Sequence, residues 1–154
     1  MTAPYSGRCA CGAVTLAISA EPMTTRQCWC RQCQKIAAGG PTHNAIFAAE
    51  AVAIEGTLAS GGWQAASGNT LTFHFCPACG TQIYGQSSAR PHLKTVRFGA
   101  LDAGHGLEPE VVIWTDDAPA WAQIDPARES WPQQPPAQPP AQPSAAPSTP
   151  PSGT

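Results

Sequence analysis

The sequence predicts a mainly β domain of antiparallel sheets with one or two short helical turns. Apolar and β-branched residues come in short runs, each fenced by Gly, Pro or Ser. Helical periodicity is scarce, and no strand–helix–strand alternation or internal repeat is present.

Taken in order, the first strand is expected over 13–18, where "AVTLAI" follows Gly12. Strands at 25–29 ("TRQCW"), 42–47 ("THNAIF") and 51–56 ("AVAIEG") come next. Between the first two of these, residues 31–38 form a short helix that Gly39-Gly40 ends. Gly61-Gly62 and Ser67-Gly68-Asn69 fence the strand at 70–75 ("TLTFHF"). Gly80 precedes a strand at 82–84, and strands at 94–98 and 110–114 flank a glycine turn at 104–106. A second helical turn is expected after Pro119, around 121–124.

The folded domain is expected to span 1–131. From Pro132 the text "PQQPPAQPPAQPSAAPSTPPSGT" has no charge, no aromatic and no large aliphatic residue, so 132–154 reads as a disordered Pro/Gln/Ala/Ser-rich tail. Eight Lys plus Arg stand against ten Asp plus Glu, a formal charge of −2 that argues against nucleic acid as a partner. The apolar run at 13–20 is broken by Thr15 and Ser19 and is too short for a signal peptide or a membrane span. The expectation is a cytoplasmic protein without membrane contact, in which seven cysteines, an odd number, point to metal rather than disulfides.

The cysteines divide into two sets. Cys76-Pro77-Ala78-Cys79-Gly80 is a zinc knuckle: two intervening residues let a tight turn aim both sulfurs at one ion. A closed site wants four ligands, and Cys9-Ala10-Cys11 supplies the other two, since residues i and i+2 of an extended chain share a face. The remaining cysteines form "CWCRQC": Cys28 and Cys30 share a face, Trp29 points to the core, and Cys33 closes from the first helical turn. None of His43, His74, His92 or His105 has ligand spacing to this triplet. Three thiolates around Zn²⁺ carry net −1, which makes a poor carbonyl activator but a good binder of an incoming thiol.

Together, "GRCACGAVTL" (7–16), "CWCRQCQKIAAGG" (28–40), "FCPACGTQIYG" (75–85), "VRFGALD" (96–102) and "EVVIWTDDAPAWAQI" (110–124) resemble the glutathione-dependent formaldehyde-activating enzyme family, which also includes the centromere protein V group. The resemblance implies a β-tent fold with two Zn²⁺ per chain: a structural ion on Cys9, Cys11, Cys76 and Cys79, and an accessible catalytic ion on Cys28, Cys30 and Cys33. It implies carbon–sulfur lyase chemistry, making or splitting S-(hydroxymethyl)glutathione from formaldehyde and glutathione, with another thiol or aldehyde as the open variable. Two departures alter the wall of the site without removing a ligand. Trp29 stands where the family usually has His, and Arg31 where it has Ser or a similar residue. Arg26, Arg31 and Lys35, beside the triplet, are the cations expected to meet the thiol's carboxylates. The alternative is a non-catalytic, zinc-stabilised binding module whose proline-rich tail recruits a partner.

Overall fold

The computed structural model describes residues 3–136; of the expected tail, Pro132 and Gln133 accept hydrogen bonds from Asp116 and Trp114, and 137–154 lie outside the described residues. The chain is mainly β, as expected. Strands β1 (Tyr5–Arg8), β2 (Thr15–Ile18) and β5 (Val52–Glu55) make a small antiparallel sheet in the order β1-β2-β5. The large sheet contains β3 (Thr24–Cys28), β4 (Thr42–Ala48), β6 (Ala59–Gln64), β7 (Thr70–Phe75), β8 (Gln82–Ser87), β9 (Leu93–Arg97), β10 (Val111–Ile113) and β11 (Glu129–Ser130). Its order is β11-β10-β3-β4-β9-β8-β7-β6. One helix, α1 (Arg31–Ile36), follows β3 directly. The main core draws on both sheets, with Val14, Leu16 and Ile18 from the small sheet's hairpin and strand β2 meeting Phe47, Ile83 and Val96 from the large one, and a smaller cluster forms around Cys28, Cys33 and Ile113.

Four features depart from the expectation. The large sheet is not wholly antiparallel, because β10 runs parallel to both β3 and β11. Strand β1 has no β-branched residue to announce it and is held by pairing with β2, Tyr5 opposite Ile18. In β6, Gly61 and Gly62 are strand residues rather than a fence. A Cβ at Gly61 would lie 2.8 Å from the Phe73 ring, and one at Gly62 would lie 2.5 Å from the Leu71 carbonyl oxygen. The helical turn expected at 121–124 is not formed. One of three 3-10 turns among the described residues lies before Pro119, at Thr115–Asp117, while the bond from Ala122 N–H to Pro119 O (2.8 Å) is not propagated. Pro126 biases Asp125 toward extended backbone and denies a helix room to grow.

Gly7 is where the small sheet meets the turn after β9. It bridges to Leu101, and a Cβ there would sit 2.1 Å from the Ala100 carbonyl oxygen, backbone against backbone. Gly7→Ala is therefore expected to cost about 1–3 kcal/mol in urea unfolding. Gly99→Ala, with nothing within 4 Å of its added carbon, should stay within about 0.5 kcal/mol of wild type.

Candidate metal centres and cleft

Two hairpin turns build the first cysteine group. Cys9 and Cys11 lie between β1 and β2, where Val14 N–H donates to Cys9 Sγ (3.2 Å) and Gly12 turns the chain at φ 79°. Cys76 and Cys79 lie between β7 and β8, where Gly80 N–H donates to Cys76 O (2.8 Å) at φ 74°. Thr81 ties the turns together, its Oγ1 accepting from Ala10 N–H (3.1 Å) and lying 3.2 Å from Cys79 Sγ. All four sulfurs fall within 4.8 Å of one another; Cys9–Cys11 is 3.5 Å and Cys11–Cys76 is 3.7 Å. Four thiolates about 2.3 Å from a tetrahedral ion would stand about 3.8 Å apart, so the donor set fits zinc. The Thr81 hydroxyl, and then backbone N–H groups, hold the Cys79 thiol down to about 5.

The second group forms where β3 becomes α1. Cys28 is the last residue of β3, Cys30 caps α1 by accepting from Cys33 N–H (3.3 Å), and Cys33 lies in that helix. Their sulfurs also lie within 4.8 Å of one another, and among the described residues no fourth Cys, His, Asp or Glu joins them. Cys28 and Cys33 are buried and Cys30 is half-buried. Hydrogen bonds from Cys28 and then Cys33 hold the Cys30 thiol down to about 3, and the same contacts push Cys28 up. Trp29 is buried, as expected, edge-on to Trp121. His43 is engaged elsewhere, bonded to Gln27 (3.1 Å) and stacked on Phe98.

The triplet opens into a cleft of about 200 Å³ on one face of the large sheet. Cross-strand register makes its floor: Arg26 on β3 faces Asn44 on β4, which faces Arg97 on β9. Arg26, Arg90 and Arg97 all line the cleft, and no Asp or Glu does. None of the three is in an ion pair among the described residues. Arg97 donates through Nη1 to Asn44 Oδ1, while its buried Nε has no partner. Burial pulls its pKa down, and the charges of Cys33, Cys28 and Cys30 oppose that fall. Burial and the like charge of Arg90 do the same to Arg26. Trp63, Phe73 and Trp114 add aromatic walls. Trp114 sits at φ 61°, a left-handed conformation that costs a bulky residue about 1–3 kcal/mol.

Of the cations expected at the site, Arg26 lines the cleft, whereas Arg31 and Lys35 are exposed and do not. Arg31 instead braces Gln34, donating to its Oε1. Arg90 and Arg97 went unrecognised in the sequence. Arg97 had a signal, a charge in a β pattern on the face opposite buried Val96, and Arg90 had none.

Residues 4–117 match the family described as glutathione-dependent formaldehyde-activating enzyme. The chain belongs to that family. A crystal structure of a Rhodobacter sphaeroides protein shares the fold at 23% identity and TM-score 0.50, covering 68% of this chain and 91% of that one. No curated protein matches the chain. The formaldehyde-activating enzyme family match thus contains all seven cysteines and ends at Asp117, inside the 3-10 turn that packs beside the triplet.

Gln34 fastens that turn to the triplet. Its buried Nε2 donates to Trp29 O (2.6 Å) and Asp117 O (2.9 Å). Gln34→Leu leaves both carbonyls without that donor and should cost about 1–3 kcal/mol in urea unfolding, with Gln34→Glu as a less apolar comparison.

Proposed function

We propose that this protein is a zinc-dependent carbon–sulfur lyase acting on a thiol–aldehyde adduct of the S-(hydroxymethyl)glutathione type. One observation carries the reading: three gathered cysteines, with no fourth protein ligand among the described residues, open into a cleft that holds three arginines and no carboxylate. Family membership supports glutathione and formaldehyde as the reacting pair.

In this reading Cys28, Cys30 and Cys33 hold the catalytic ion, and Cys9, Cys11, Cys76 and Cys79 hold a structural one, making two zincs per chain. Bound by three thiolates, zinc supplies a position where a thiol is held as its thiolate. Arg26 and Arg90 receive the carboxylates of the thiol substrate, and their like charges are relieved when an anion arrives. Arg97 serves as counter-charge to the cysteine triplet, which removes the cost of a buried guanidinium without a carboxylate. The substrate sulfur adds to the aldehyde carbon, forming one C–S bond as the carbonyl becomes a hydroxyl. The reverse reaction breaks that bond and returns thiol and aldehyde. The cleft lining has no histidine or carboxylate, so the proton lost by the thiol passes to solvent at the mouth, and the alkoxide formed on addition takes one proton back from solvent to become the hydroxyl. Much of the rate gain comes from holding two small reactants together. Thiolate chemistry of this kind needs a reducing compartment, in keeping with the expected cytoplasm. No helix among the described residues is long and apolar enough to cross a membrane.

Elemental analysis of protein purified under reducing conditions should give two zincs per chain, and one in Cys30→Ser. Cys76→Ser should lose folded protein altogether. Turnover of S-(hydroxymethyl)glutathione, followed by formaldehyde release, should fall to the uncatalysed rate in Cys30→Ser. Equal turnover in wild type and this variant would overturn the proposal. Arg90→Ala should raise KM about tenfold with kcat nearly unchanged, as expected for a carboxylate contact of about 1.5 kcal/mol.

A further inference from the structure

The chain does not leave the site where the family match ends. After residue 117 it loops out and returns as β11, parallel to β10, with Val111 opposite Glu129 and Val112 opposite Ser130. A strap then runs past the cysteine triplet. Trp131 N–H donates to Val112 O (2.9 Å), and Trp131 O accepts from both the N–H and the hydroxyl of Thr115 (3.2 Å each). Pro132 O accepts from Asp116 N–H (3.1 Å), and Gln133 O accepts from Trp114 N–H (3.4 Å). The Trp131 ring packs against the buried group of Cys28, Cys33 and Ile113, and its Nε1 donates to Glu129 Oε1 (2.6 Å). The next residue, Gln134, lines the cleft itself.

Two details give the strap a role beyond closing the fold. Trp114 lines the cleft in a left-handed conformation, and such backbones persist only where their surroundings over-determine them. The strap supplies that constraint through the bonds to Trp114, Thr115 and Asp116 on three consecutive residues. The cleft it borders is also small, about 200 Å³, against about 300–1,000 Å³ for sites that enclose drug-sized ligands. A wall at that size decides what enters.

We propose that the strap over 129–134 is the size-selective wall of the thiol cleft, with Gln134 and Trp114 determining how large a thiol reaches Cys28, Cys30 and Cys33. The inference rests on the thiol-binding reading given above. Gln134 is the position to test, because it is exposed and the strap's bonds to Val112, Trp114, Thr115 and Asp116 are made by the backbone of residues 131–133, so its replacement leaves them in place.

The experiment uses the full chain loaded with zinc, as wild type, Gln134→Trp and Gln134→Gly. Circular dichroism and zinc content verify that each is folded and loaded. Calorimetric titration then compares glutathione with mercaptoacetate, a thiol bearing one carboxylate. Gln134→Trp should weaken glutathione about tenfold or more while changing mercaptoacetate less than about twofold, and Gln134→Gly should shift the ratio the other way. An unchanged ratio of the two affinities across all three proteins overturns the strap's role and leaves the thiol-binding reading intact. Failure of wild type to bind either thiol overturns both.

Discussion

Thiolates repel one another, and this fold nonetheless brings seven sulfurs into two groups whose members lie within 4.8 Å. At about 4 Å and an effective dielectric constant near 20, each pair of thiolate charges costs about 4 kcal/mol. Such crowding is relieved by keeping a thiol protonated, as the upward push on Cys28 does, or by positive charge at hand. The four-sulfur group has the spacing that a tetrahedral ion needs. The three-sulfur group has, in addition, the Arg97 guanidinium, which faces the mirror-image difficulty of a buried cation without a carboxylate. Each problem relieves the other, and the sheet register that brings Arg97 opposite Asn44 makes this possible.

The site is assembled by topology as much as by motif. Parallel pairing of β10 with β3 sets Ile113 opposite Cys28, so the residues just after β10 lie beside the helix that carries Cys33. Trp114, Asp117 and the strap are all consequences of that register. The cleft floor comes from neighbouring antiparallel strands, whose alternating side chains put Arg26, Asn44 and Arg97 in one row.

How much of this was legible depended on range. The cysteines announced themselves because CxC and CxxC are local geometry, and burial of Trp29 followed from the same two-residue alternation. Gly61 and Gly62 misled, because only the Phe73 ring and the β7 backbone explain why a strand needs glycine there. Arg31 and Lys35 are neighbours of the triplet in sequence, but α1 turns them to solvent. Arg90 and Arg97 reach it from distant segments that no spacing rule connects. The turn at Thr115–Asp117 escaped notice because its reason lies in Gln34, which accepts no role until the chain has folded.

With an ion bound as proposed, the four-sulfur group would also set the order in which the molecule is made secure. Its two halves are separated by 65 positions along the chain, from Cys11 to Cys76. Fastening a loop of that length removes about 4 kcal/mol of freedom from the unfolded ensemble. Until the β7–β8 turn has emerged during synthesis, the β1–β2 hairpin has β5 to pair with but not the second pair of cysteines. With an ion on these four cysteines, as proposed, a shortage of metal would be felt there first, as chains whose β1–β2 hairpin stays open to proteases.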